Sequence, residues 1–456
     1  MCPQLYDNSA PRYAHSMALT RERKITLLLF ALALAARVAF FWANTAAHGG
    51  ELLPTILNSE GYYELANNIL AGHGFSESPV APYAPDSLRP PLYPLFIAAI
   101  VGVFGSYWPV IIAQILLASV LPLLARRISF RITQNAWVGN TVGILFAVEP
   151  VLVRLSGILL TETLFLTLFF ACVITFFNYL DRNEARSLAF SALFLGLATL
   201  TRPVTQYLPV LMIAMLLWRL RKIPRRAALH AGVFAVVFIA TLAPWLYRNY
   251  TVFGSPSVAN TTVSNLYGYF APSVLALERH ITFTTAQQQL FAEDKVMDYS
   301  AVTLKDARAF TTRAKNIIAT HPKETAKLVS ITTFAFFTHD GYLDVLQDLG
   351  LMKNFSRNIR ALITGPGILI IAGRIFWTLM ALLSFVGVYL FFKREGFRPK
   401  AVFATLLVAY FAATAAIVGL GITARYRVPA SVFILAFAFY GVDVLRNYFR
   451  RGIQES

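Results

Sequence analysis

The sequence predicts an all-α, polytopic membrane protein, and three observations carry that prediction. Of the 456 residues, 57% are hydrophobic and only 14% are charged, where a soluble chain carries roughly a quarter charged residues. The apolar residues fall in blocks of about 15–25, the length needed to cross a bilayer as helix. The blocks are continuous, without the period-two alternation of a membrane β-strand. Helices and closed barrels are the structures that satisfy backbone polar groups in lipid, so the runs read as helices.

Taken in order, the first 24 residues are polar and end in Arg21, Arg23 and Lys24. The apolar run from Ile25 is too long for a signal-peptide core and has no clear cleavage site, so it is expected to be an uncleaved first span. About ten spans are predicted, near 25–45, 107–126, 135–154, 158–180, 187–201, 204–220, 228–247, 366–392, 401–420 and 427–446. Basic clusters follow alternate spans: Arg126, Arg127 and Arg131; Arg182 and Arg186; Arg219, Arg221, Lys222, Arg225 and Arg226; Lys393, Arg394, Arg398 and Lys400; Arg446, Arg450 and Arg451. The positive-inside rule assigns all of them to the cytoplasm, with both termini. Topology then accounts for the net charge of +17, and nucleic acid is not expected as a partner.

The stretch PPLYPLFIAAIVGVFG (90–105) is apolar enough to cross, but crossing would invert the clusters that follow it. It is therefore expected to be a juxtamembrane or re-entrant helix, and so is KLVSITTFAFFTHD (327–340); the alternative is that both cross and compensate. The resulting organisation is a cytoplasmic segment 1–24, a transmembrane core 25–247 with a first outer loop 46–106, a second outer (periplasmic) region 248–365, C-terminal helices 366–446 and a cytoplasmic tail 447–456. The expected location is the inner (plasma) membrane. Cys2 and Cys172 are the only cysteines, which leaves no disulfide framework.

With the topology in place, polar residues from five places meet on the outer face. NSEGYYELANNILAGHGF (58–75) brings Glu60, Tyr62, Tyr63, Glu64 and His73, and Arg89 follows. TETLF brings Glu162, TRP brings Arg202, APWLYRNYTVFG brings Trp245, Arg248 and Asn249, and TARYR brings Arg425 and Arg427. Singly, most have ordinary explanations. Glu162 suits a helix start behind Thr161, arginines snorkel to headgroups, and Tyr62, Tyr63 and Trp245 fit an aromatic belt. Together they are more specific. Arginines on the side that positive-inside disfavours, beside acids, point to an anionic ligand at the membrane surface.

The ordered motifs SEGYYELANNILAGHGF, RPPLYPLF, LTETLF, LTRP, APWLYRNYTVFG and ARYRVP resemble membrane glycosyltransferases of the GT-C fold. The nearest branch is that of the protein O-mannosyltransferases and the bacterial aminoarabinose transferase. The resemblance covers most of the first 270 residues and returns at the last two helices; 275–365 resembles nothing placed. It implies a polyprenyl-phosphate sugar donor and transfer with inversion to an acceptor hydroxyl of a lipid, glycan or protein at the outer leaflet. It implies an acidic base from the first outer loop, where Glu60 matches and Asn58 or Ser59 are the alternatives. It also implies that Glu162 helps hold the site, that Arg248, Arg425 and Arg427, with Arg202, contact the donor phosphate, and that Tyr62, Tyr63, Arg89, Trp245 and Asn249 contact substrate.

The chemistry asks for the same residue types. An acceptor hydroxyl needs a carboxylate base as it attacks. A lipid phosphate leaving group needs its developing charge held, which arginines in a partly dry pocket do well. The lipid tail needs a groove open to the bilayer, with 90–105 expected to form its rim. No acidic triad or histidine pair implies a metal or other cofactor, although one acid plus phosphate can hold a weakly bound Mg²⁺. A transporter or flippase of lipid-linked sugar is the rival reading; it predicts midplane polar residues and paired repeats. A scaffold, the third reading, gives no reason for the outer arginines.

Overall fold

The computed structural model describes residues 10–57, 60–297, 302–353, 363 and 365–454, with side chains described between 22 and 450. Among the described residues every regular element is helical. The elements are α1 (Ala10–Ala47), α2 (Leu52–Ile56), α3 (Tyr62–Leu70), α4 (Leu92–Phe104), α5 (Trp108–Thr133), α6 (Ala136–Val148), α7 (Pro150–Leu155), α8 (Glu162–Arg182), α9 (Ala185–Thr201), α10 (Leu208–Arg219) and α11 (Pro224–Phe253). A region of short helices follows: α12 (Thr261–Val263), a π-helical stretch Ser264–Phe270, α13 (Ala271–Arg279), α14 (Phe283–Glu293), α15 (Ala307–Thr320), α16 (Pro322–Thr338) and α17 (Tyr342–Asp348). The chain ends in α18 (Ile368–Glu395), α19 (Pro399–Ala416) and α20 (Val428–Gln454).

Among the described residues, seven helices are long and apolar enough to cross a membrane: α1 from Glu22, α5, α8, α11, α18, α19 and α20. The remaining predicted spans are shorter. The run predicted at 135–154 breaks at Glu149–Pro150, because proline cannot donate to the helix ladder. Glu149 instead caps α7, accepting from the Leu152 N–H. The 17-residue α9 nevertheless runs the length of α8. A two-residue turn at left-handed Asn183 joins their adjacent ends, and Arg202 just beyond α9 bonds Glu162 at the start of α8.

Hydrogen bonds define one end of the bundle. Asp181 holds Arg131 at 2.5 Å and Lys400 at 2.6 Å. Arg226 donates to the Asn183 carbonyl, and Asn135, which caps α6, donates to Asp443. The turns after α5, α8, α10 and α18 therefore meet at this basic end. Glu60, Arg89, Glu162, Arg202 and Arg425 meet at the other.

The apolar helix α4 does not traverse the bundle. Tyr93 near its start packs edge-on against Tyr62, and Tyr107 beyond its end bonds Asn67, so both ends lie against α3. Helix α16 also stays near the site end: Leu328 joins the apolar core of the short-helix region, and Thr332 bonds the Ala416 carbonyl at the end of α19. These short helices have their own core, built on Tyr267, Phe270, Val274, Leu290, Phe291 and Ile317, apart from the bundle core.

Candidate active site

The site begins at the turn before α3. Gly61 adopts φ +68°, a conformation that strains other residues. A Cβ there would also lie 2.6 Å from Glu77 Oε2 and 2.9 Å from Arg89 Nη2. This turn presents Glu60. The Glu60 carbonyl accepts from Arg89 Nε, and Arg89 is held in turn by Glu77 and Asp86, each at 2.5 Å. Asn58 and Ser59, the alternatives to Glu60, lie outside the described residues.

Three further elements close on this turn. Glu162, at the start of α8, is 2% exposed and its Oε1 accepts from Arg425 Nε at 2.5 Å and from Arg202 Nη1. Arg425 also donates from Nη1 to Glu60 Oε1 at 2.5 Å. One guanidinium thus bridges two carboxylates, and one carboxylate gathers two guanidiniums. Burial works against the charge on Arg425, but Glu162 and Glu60 outweigh it and hold its pKa well above the ordinary arginine value. Glu162 Oε2 is buried without a hydrogen-bond partner. Glu60 is the more open acid, with its side chain 34% exposed.

Glu60, Arg89, Arg202 and Arg425 line a cavity of about 500 Å³, and Glu162 is buried beside it, bonded to the two wall arginines Arg202 and Arg425. Tyr62 and Arg89 share its wall, with Arg154, Asp344 and Tyr426. Burial raises the pKa of the Tyr62 phenol, so it stays neutral. An apolar groove of about 140 Å³ adjoins, lined by Val204, Tyr207, Phe411, Ile417 and Val418 among others. Arg202, Thr261, Asn265, Arg425 and Tyr426 belong to both spaces. No residue of α4 lines this groove, which lies between the 202–207 turn, α12 and the end of α19.

Several sequence candidates sit elsewhere. Arg427 is fully buried 3.6 Å over the Trp377 ring and donates to the His339 carbonyl. It does not line the cavity, and this placement corrects the expectation of a phosphate contact. Burial pulls its pKa down to about 10, opposed by Glu149 and Asp340, so it remains charged. Arg248 lies over the rings of Trp245, Phe253 and Phe75 and donates to the Asp86 carbonyl. It clamps the first loop to the end of α11 rather than facing the cavity. Trp245 and Asn249 bond the Val258 and Ser257 carbonyls, and Tyr63 packs against Tyr107. His73 stacks on Tyr83.

The sequence reading missed the cavity wall supplied by Thr261, Ser264, Asn265 and Tyr269. Three of these lie in the π-helical stretch, a distortion common at functional sites. Arg154, also in this wall, bonds Asp348 at 2.7 Å and approaches Asp344 at 3.7 Å. Among the described residues no group of three or more His, Cys, Asp or Glu is placed to share a metal ion.

The fold and site define a polytopic helical membrane protein with an arginine–carboxylate cavity at one end of its bundle. Residues 88–247 match the family model for dolichyl-phosphate-mannose-protein mannosyltransferase. That segment, about a third of the chain, carries Arg89, Glu162 and Arg202. Two solved structures are similar at low identity. The archaeal oligosaccharyltransferase AglB from Archaeoglobus fulgidus, in complex with an inhibitory peptide and a dolichol-phosphate, is 12% identical with a TM-score of 0.48, over 93% of this chain and 51% of that one. ArnT from Cupriavidus metallidurans, bound to undecaprenyl phosphate, is 14% identical with a TM-score of 0.40, over 91% of this chain and 77% of that one. The chain thus spans about half the length of AglB. No curated protein sequence matches it.

Proposed function

We propose that this protein is an inverting glycosyltransferase of the GT-C type. It would move a sugar from a polyprenyl-phosphate donor to an acceptor hydroxyl of a lipid, glycan or protein at the outer face of the inner membrane, with both termini cytoplasmic. The observation that carries the reading is the Glu60–Arg425–Glu162–Arg202 chain, set where a charged cavity meets an apolar groove. The family match over 88–247 supports it.

The geometry supports separate work for the two acids. Glu162 is enclosed and holds two arginines in place. Glu60 faces the cavity and has one of those arginines as its partner. A donor phosphate entering from the groove would compete with Glu60 for Arg425. Its arrival would free the carboxylate next to the acceptor. In the reaction the acceptor oxygen bonds the anomeric carbon and its proton passes to Glu60. The bond from that carbon to the phosphate oxygen breaks, and the polyprenyl phosphate leaves with the electron pair. Arg425 and Arg202 hold the charge that develops. A single displacement inverts the anomeric centre. Arg248 and Trp245 act as supports of the first loop, and Asn249 holds the 257–258 stretch after α11.

The test is transfer of labelled sugar from a polyprenyl-phosphate donor by the wild type and Glu60→Gln. The expected result is a loss of about 100-fold or more in kcat with donor binding retained. Full activity in the variant would overturn the assignment of the base.

A further inference from the structure

At the basic end of the bundle, the turn between α10 and α11 borders a second, open recess. It measures about 640 Å³, larger than the one around Arg425. Arg219, Arg221, Lys222 and Arg226 line it, with no carboxylate among the lining residues. A further cavity of about 260 Å³ shares Arg219 and Pro399 with it and adds Arg131, Arg398 and Lys400. The acid there, Asp181, is already bonded to Arg131 and Lys400. Arg226 donates to the Asn183 carbonyl at 3.2 Å, which neutralises none of its charge.

The positive-inside rule asks for basic residues at such an end but not for their convergence on one hollow. Arg182, Arg446 and Arg450 are exposed to solvent like Arg219, Arg221, Lys222 and Arg226, but they do not line this recess. Cations brought together around one recess repel one another unless an anion joins them. Leu217 and Ile223 beside the hollow are 47% and 51% exposed, an apolar flank for acyl chains. We propose that this cavity is a binding site for a phosphate-bearing anion, distinct from the candidate active site. The apolar flank favours the headgroup of an anionic phospholipid over a soluble phosphate as its source.

The experiment uses the purified full chain in detergent and native mass spectrometry. Phosphatidylglycerol and cardiolipin are offered against phosphatidylcholine, and pyrophosphate is titrated separately. Wild type should retain the anionic lipids about tenfold better, a difference of about 1.4 kcal/mol, and pyrophosphate should displace them. R219Q/R226Q should lose the preference, whereas R219K/R226K and the control R446Q/R450Q should keep it. Pyrophosphate binding without lipid preference would support the anion site and assign it to soluble phosphate. A wild type that shows neither anionic-lipid preference nor pyrophosphate binding overturns the proposal, whether or not the variants fold. Equal losses in R219Q/R226Q and R446Q/R450Q also overturn it, since charge alone would then be at work.

Discussion

Arg425 is the residue on which the candidate site turns. Its guanidinium joins an acid of the first loop to an acid at a helix start more than a hundred residues later. Glu162→Gln would leave Arg202 and Arg425 without a shared counter-charge. Removing one partner of a buried pair costs about 3–5 kcal/mol. Thermal unfolding in detergent should therefore show a clear drop in Tm for Glu162→Gln and a smaller one for the more open Glu60→Gln. The converse ranking would mean that Glu162 is not the anchor. Arg427→Ala removes a buried cation whose charge acts on Glu149 and Asp340, and its bond to the His339 carbonyl. It should lower Tm, and lose activity only as far as the fold is lost. Glu60, Glu162, Arg202, Arg425, Tyr62 and Arg89 were legible in the sequence because acids and arginines at predicted helix ends stand out in an apolar chain. Arg427 was misplaced because a motif gives spacing, not direction. Arg425 and Arg427 lie two apart on a tight turn, so their side chains leave on different sides.

Helix lengths were read well where apolar runs are continuous and poorly where a turn interrupts them. The break at Pro150 was present in the sequence, but the apolar residues on both sides masked it. The π-helical wall was not legible, since no propensity marks that pitch in SNLYGYF. Close approach of helices was also hidden. A Cβ on Gly387 of α18 would lie 1.9 Å from the Phe437 carbonyl oxygen of α20, and Gly441 faces the same contact. Without a strong hydrophobic force between helices in lipid, such small-residue contacts are a main source of association. Gly387→Leu should separate α18 from α20, with overpacking costs of at least about 1–3 kcal/mol. The measurement is detergent-stable yield and Tm, beside Val386→Leu on the lipid-exposed side of α18 as the neutral control. Gly61→Ala should act differently. It strains one turn, moves Arg89 and Glu60, and lowers transfer activity more than Tm.

At the scale of the whole molecule, the sequence argument assigned charge clusters to two sides and the structure groups the same clusters at two ends. The basic turns meet around Asp181, Arg219 and Lys400, while the acid-paired arginines meet around Glu162. The positive-inside bias predicts the side each end faces, and that side decides whether the proposed donor and acceptor meet outside or inside the cell. Single-cysteine labelling tests it directly. Cys172 is buried, so a background with Cys2→Ser carries little reactive thiol. Thr312→Cys lies exposed on α15 in the short-helix region that supports the cavity wall, and Lys222→Cys lies exposed at the basic turn. A membrane-impermeant maleimide added to intact cells should label Thr312→Cys and spare Lys222→Cys. Permeabilisation should make both react. The reverse pattern would put the Glu60–Arg425 cavity on the cytoplasmic side, and transfer at the outer face would then be excluded whatever the site's chemistry. Labelling of both positions in intact cells would mean that the two ends do not lie on opposite sides, against a bundle in which α8 and α9 run side by side from Arg202 to Asn183.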